Sequence, residues 1–333
     1  MSQTSPVGSP NVVSANQVSE KLDVTLREPR NGAWKRIFVG GQGLRIGWSV
    51  LLFVAIYQVV HVALMAILGH FFSLEPDGAI PVTPALFQES FELFAIFLAT
   101  WVMARIERRP VLSYGYTGDH RLIRMGSGMV WGFLALSLLI GVMWKAGWIV
   151  FDGISLGGPT AWKYALGWGL LFLIVGFFEE SALRGYLQYT LSRGIGFWWA
   201  ALALSLVFAI WHMGNNGESS LGLLEVGLSG MYFCVTLWYT KSLWWAVGFH
   251  AGWDWAQSYF YGTADSGLVM QGHLLTCHPA GDPRWSGGTT GPEGSLLIPP
   301  LTIMMAAAMW LWWGKIKGKD REIPARRLER ALL

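Results

Sequence analysis

The chain has 333 residues, 53% of them hydrophobic, with a mean hydropathy of +0.40 and a net charge of +3. Charged residues make up 14%, well below the roughly 25% of soluble domains. That excludes an ordinary water-soluble fold, and so small a net charge asks for no nucleic-acid partner. Trp is abundant, at 20 residues, as suits rings anchored at a membrane–water interface.

Residues 1–35 are rich in Ser, Asn, Val and Gln and carry no apolar signal-peptide core. They are predicted to be a disordered cytoplasmic tail, with insertion left to the first spanning helix. Eight apolar segments follow, at 47–72, 86–105, 128–151, 162–179, 196–213, 221–240, 242–261 and 296–314. Most approach the roughly 20 residues that cross a hydrocarbon core. The fourth loses hydrophobicity at Glu179, yet helix-forming sequence runs on to about 192, so one long helix is the favoured form. The expected fold is therefore all-α: a polytopic membrane protein of about eight transmembrane helices in a single bundle. The membrane domain spans 45–315, its motif core lies at about 160–260, and a basic cytoplasmic tail follows at 316–333.

Lys and Arg alternate with the segments. Arg27, Arg30, Lys35, Arg36 and Arg45 precede the first, five arginines lie between the second and third, Arg193 follows the fourth, Lys241 follows the sixth, and seven follow the eighth. Connections 73–85 and 214–220 have none, and 262–295 has only Arg284. The positive-inside rule then puts both termini in the cytoplasm. The long connection 262–295 carries Asp265, His273, Cys277, His278, Asp282 and Glu293 among many Gly and Pro. It is expected to be a folded external loop rather than a functional lid. His273 and His278 lack a third well-spaced metal ligand. The two cysteines, Cys234 and Cys277, fall in an apolar run and a loop, so no disulfide is expected.

Ionisable side chains inside a bilayer are costly and mark function. Glu179 and Glu180 stand together in Phe177-Phe178-Glu179-Glu180-Ser181-Ala182-Leu183-Arg184; His212 ends Phe208-Ala209-Ile210-Trp211-His212; His250 and Asp254 bracket Ala251-Gly252-Trp253. On a helix, Glu180 and Arg184 are i,i+4 neighbours able to pair, while Glu179 is turned about 100° away. One carboxylate is then structural and the other reactive. His250 and Asp254 are also i,i+4, so Asp254 can accept the imidazole N–H and fix its tautomer. At roughly 1.5 Å per residue, Glu179, His212, His250 and Asp254 lie about 20, 24, 12 and 18 Å from the cytoplasmic ends of their segments. Those depths are compatible with one site.

These three motifs, in this order and spacing, resemble the signatures of the CPBP family, the CAAX-processing and bacteriocin-processing membrane proteases also called the Abi or type II CAAX prenyl endopeptidase family. The similarity covers roughly residues 90–315, and the stretch from Gly287 to Ser295 is also similar to bacterial members. The resemblance implies an intramembrane endopeptidase that hydrolyses a membrane-associated peptide or protein with activated water. Glu179 would be the general base, His212 would orient the water, His250 and Asp254 would stabilise the oxyanion, and Glu180 with Arg184 would hold the helix. The prenyl-protein proteases carry Asn where this chain has Asp254, and bacterial members carry either, so the resemblance keeps the site but does not assign prenylated peptides as the substrate. Glu179, His212 and His250 can also supply three ligands to a divalent metal such as zinc. The metal-free form is favoured, because Glu180 is tied to Arg184 and no dedicated outer partners for metal ligands are evident. The competing functions are a non-catalytic bacteriocin-immunity protein or membrane scaffold, and a proton-coupled transporter. The absence of any repeat between 47–151 and 162–313 argues against the last. A bacterial cytoplasmic membrane is the expected location.

Overall fold

The computed structural model describes residues 38–40, 43–72 and 78–316. The expected N-terminal tail 1–35, and the basic tail beyond Ile316, lie outside them. Two compact units result, Met1–Arg45 and Ile46–Leu333. In the first, β1 (Val39–Gly40) and β2 (Gly43–Leu44) pair as a short antiparallel hairpin.

The second unit is built of helices. α1 is Ile46–Leu68, α2 Val82–Glu107 and α3 Arg121–Lys145. After β3 (Ile149–Ile154), α4 runs continuously through Gly158–Ile195. α5 (Phe197–His212), α6 (Ser220–Thr240) and α7 (Trp244–Asp254) follow, and α7 continues as a π-helical turn over Trp255–Phe260. Beyond β4 (Leu275–Pro279), α8 begins at Ile298–Met309 and ends over Trp310–Ile316. Each of the eight apolar segments thus lies on a helix. Five, α1, α2, α3, α4 and α6, are long and apolar enough to cross a membrane, whereas α5 and α8 are shorter. The long form of the fourth segment is the one adopted.

Local chemistry sets the helix ends. Pro occupies the first turn of α4 and of α8, where its missing N–H costs nothing. The Ser219 hydroxyl caps α6 by accepting from the Gly222 N–H at 3.0 Å. α4 is not uniform. Its Ser181–Leu187 stretch is π-helical, and it kinks at Gly185, where ψ is −113°. Such turns inside helices are costly and concentrate at functional sites.

α3 and α7 cross most closely. Gly128 and Gly132 on α3 meet Gly248 and Gly252 on α7, and a Cβ on any of the four would collide with a backbone carbonyl of the other helix. In lipid, where burial of apolar surface gives helices little reason to associate, this small-xxx-small approach supplies the packing. It also fixes the depth and rotation of His250, which lies between the two α7 glycines. On the other side of α7, Gly176 of α4 approaches so closely that a Cβ would stand 2.9 Å from the Val247 carbonyl oxygen. A core of Leu136, Ile140, Met143, Phe233, Trp245 and Phe249 fills the remaining space between α3, α6 and α7.

The connections sort into two faces. On one, Leu243 N–H donates to the Gly115 carbonyl (2.8 Å), Arg124 Nη1 to the Thr240 carbonyl (3.2 Å) and Trp244 Nε1 to the Tyr116 carbonyl (3.2 Å). On the other, β3 and β4 pair antiparallel with a bulge between Phe151 and Gly153. There the long connection 262–295 is folded, as expected. It is also tied to its neighbours: Ile80 N–H donates to the Val269 carbonyl (2.8 Å), Asn215 Nδ2 to the Ser266 carbonyl (2.8 Å) and Ser219 N–H to Thr290 Oγ1 (3.0 Å). The free cysteines Cys234 and Cys277 are both buried.

Candidate active site

α4, α5 and α7 converge on a cavity of about 850 Å³ that Glu179, His212, His250 and Asp254 all line. Glu179 is half-buried and faces this cavity, while the next residue, Glu180, is fully buried behind it. The division follows from the roughly 100° between successive helical residues.

His250 is the hub. Its Nδ1 stands 3.2 Å from Glu180 Oε1, and its Nε2 stands 3.4 Å from Glu179 Oε2 and 3.5 Å from Asp254 Oδ2. Only the Glu180 contact has hydrogen-bond geometry. The residue that orients the ring is therefore Glu180, not Asp254 as the i,i+4 spacing suggests. One turn of α7 brings Asp254 beside Nε2, but Glu180, from another helix, reaches Nδ1 in the plane of the ring. The ring stacks on Phe233 of α6, with centroids 5.0 Å apart and planes 18° apart.

Glu180 Oε1 also accepts from Arg184 Nη1 at 3.2 Å, so the same oxygen serves cation and imidazole. Arg184 is buried, with its guanidinium 4.6 Å from the Phe208 ring and 5.5 Å from the Phe233 ring. Cation–π contact offsets part of the cost of burying that charge. Gly230 makes the space: a Cβ there would stand 2.8 Å from Arg184 Nη2.

Phe208 has two further duties. Its carbonyl faces His212 Nδ1 at 2.9 Å, and its ring meets the His212 ring edge-on at 4.6 Å. A carbonyl only accepts, so Nδ1 is the donor there, and Nε2 is the nitrogen that bears the lone pair when the ring is neutral. Among the described residues, no group of three or more His, Cys, Asp or Glu side chains has the arrangement to hold a metal ion, although Glu179, His212 and His250 line the same cavity. His273 and His278 are likewise apart from any such group, with His273 against Thr276 (3.2 Å) and His278 against Asp152 across the β3–β4 pair (2.7 Å).

Five further carboxylates line the cavity: Glu89 and Glu92 of α2, Glu225 of α6, and Asp265 and Glu293 of the long connection. Glu92 accepts from Tyr57 Oη (2.8 Å) and Glu225 from Ser229 Oγ (2.6 Å), and Glu89 is within electrostatic reach of Glu179. Asp265 accepts from Ser258 Oγ (2.8 Å), and Glu293 accepts from the Ser266 N–H and, at 3.0 Å, from its hydroxyl. Burial, reinforced by Asp254, raises the Asp265 carboxyl well above the usual carboxylate range, and burial with Asp265 pushes Glu293 up to about 8. The long connection thus borders the cavity, a part that its loop composition did not disclose. The only sequence signal for Glu225 and Glu89 was a charge inside an apolar segment. Phe233, Gly176 and Gly230 gave none.

Residues 161–256 match the family model described as type II CAAX prenyl endopeptidase Rce1-like. The matched stretch contains Glu179, Glu180, Arg184, His212, His250 and Asp254. No curated protein matches the chain. The match, with helices able to span a membrane, supports a membrane protease that resembles the CAAX type over residues 161–256 and acts on a peptide or protein.

Proposed function

We propose that this protein is an intramembrane endopeptidase in which Glu179 activates water and His250 stabilises the oxyanion. The observation that carries the reading is the convergence of Glu179 Oε2 on His250 Nε2, at 3.4 Å, inside a cavity that His212 and Asp254 also line. A carboxylate half-withdrawn from water is a competent general base. A ring nitrogen locked in place beside it is a preorganised donor for developing negative charge.

A water held between Glu179 and the lone pair of His212 Nε2 attacks the scissile carbonyl. The new C–O bond forms as one O–H bond breaks, and Glu179 takes that proton. His250, gripped at Nδ1 by Glu180, donates from Nε2 to the oxyanion. The C–N bond then breaks and Glu179 returns the proton to the departing amine. Glu180 and Arg184 act only through His250 and the helix. Asp254 faces the same nitrogen as Glu179 and balances the positive charge of the ring.

The test is cleavage of a peptide library by purified protein reconstituted in lipid. Glu179→Gln should remove activity, and His250→Ala should lower it by about 100-fold or more, as for loss of an oxyanion donor. Full activity in Glu179→Gln overturns the assignment of the base. An immunity or scaffold protein without catalysis predicts instead that Glu179→Gln keeps the cellular phenotype.

A further inference from the structure

We propose that substrate reaches this site from the non-cytoplasmic face, and that the cavity selects a peptide segment carrying Lys or Arg over an acidic one. The inference rests on the active-site reading above and adds to it the direction of access and the charge of the substrate.

Direction follows from which connections form the mouth. Apart from the helices, the cavity is lined by Gly78, Ile80 and Pro81 before α2, by Gly214 to Asn216 after α5, and by Asp265 to Met270 with Glu293 of the long connection. No residue of connections 108–120, 193–196 or 241–243 lines it. The two sets are the two faces defined by the hydrogen bonds already described. Basic residues separate the same sets. Among the described residues, the face away from the mouth carries the five arginines from Arg105 to Arg124, with Arg193 and Lys241, whereas the mouth side carries Lys145, Lys163 and Arg284. Positive charge is retained in the cytoplasm during insertion, so the mouth opens on the opposite side. His212 agrees, since it ends α5 at the mouth rather than at the arginine-rich end.

Charge follows from the lining. Among the described residues it contains seven carboxylates and no Lys or Arg. Buried within electrostatic reach of one another, Asp265 and Glu293 hold their protons above the usual range. A cationic side chain entering the cavity favours the ionised form of the lining carboxyls and is attracted to it, while an acidic segment is repelled.

Labelling with a membrane-impermeant maleimide tests direction without requiring catalysis. The native Cys234 and Cys277 are buried, and burial pushes the Cys277 thiol up to about 12, so the parent protein supplies a silent background. Asn216→Cys at the mouth should label in right-side-out vesicles and not in inside-out ones, and Asp119→Cys on the arginine-rich connection should do the reverse. Labelling of Asn216→Cys from the Asp119→Cys side, or only in inside-out vesicles, overturns the proposal.

Selectivity is tested with matched Lys-containing, neutral and Glu-containing peptides added to either side. Cleavage should occur from the Asn216 side and favour the Lys peptide. Glu89→Gln, which loses no hydrogen bond, and Glu225→Gln, which can keep the one to Ser229, should each lower the Lys-to-neutral ratio of kcat/KM roughly tenfold. Cleavage from the arginine-rich side alone, or an unchanged ratio in both variants, overturns the proposal. If no peptide is cleaved from either side while the labelling pattern holds, the peptidase reading fails and the access face stands.

Discussion

Replacing Glu180 by Gln keeps the shape of the side chain and deletes one buried charge. Glu180 is fully buried, and its Oε1 is shared by Arg184 Nη1 and His250 Nδ1, each at 3.2 Å. Glu180→Gln therefore strands the Arg184 cation in a dry interior. Removing one partner of a buried pair costs about 3–5 kcal/mol. The Phe208 and Phe233 faces already hold the guanidinium in the parent, so they do not reduce that loss. The pair itself is not strong, because Glu180 Oε2 and Arg184 Nε and Nη2 have no hydrogen-bond partner among the described residues. The double variant Glu180→Gln/Arg184→Met should accordingly recover most of the stability, since well-packed neutral groups often match or exceed a buried ion pair. It should not recover activity, because His250 Nδ1 still faces an amide instead of a carboxylate. Thermal unfolding in detergent and peptide cleavage would be measured for both singles and the double. A Glu180→Gln variant as stable and as active as the parent would refute the argument, and so would a double variant that regains cleavage.

Four further outcomes are expected. Gly248→Leu should drive a side chain into the Met125 carbonyl of α3, destabilise the protein by about 1–3 kcal/mol and shift His250. Loss of cleavage that parallels loss of a folded elution profile would be the signature. His212→Phe preserves the edge contact with Phe208 but removes the Nε2 lone pair, so it should lower kcat with little change in unfolding temperature. A chelator should leave cleavage unchanged and added zinc should not raise it, as fits residues not gathered into a ligand group; restoration of a chelated protein by zinc would contradict this. Glu293 holds its proton up to about 8 in the folded chain, against about 4.3 for a free Glu. A folded-state pKa above the unfolded one means that stability falls as pH rises between about 4.3 and 8. Glu293→Gln, able to accept from Ser266 through the same oxygen, should flatten that fall, read as protease resistance of the 262–295 connection across the window.

What could be read from the residues alone was the material and its order. Hydropathy is a property of local composition, so the apolar segments were legible, including the run past Glu179 that makes α4 one long helix. Rare ionisable groups in those segments stood out because burying them is expensive, and helical spacing placed Glu179 and Glu180 on different faces. Spacing along one helix was a poor guide to partners across helices. It paired His250 with Asp254, whereas the nearest hydrogen-bond acceptor at Nδ1 is Glu180 on α4, brought there because Gly176 lets two backbones approach. It also grouped Glu179, His212 and His250 without orienting their rings: the fold turns His212 Nδ1 onto the carbonyl of Phe208 and His250 Nδ1 onto Glu180. The part of the lining that comes from the long connection was hidden for a related reason: Asp265 and Glu293 sit among loop residues with no periodicity, and bonds from Ile80, Asn215 and Ser219 hold that connection beside the site. Composition fixes which side chains leave water; the close helix crossings and the laced connections decide which of them meet.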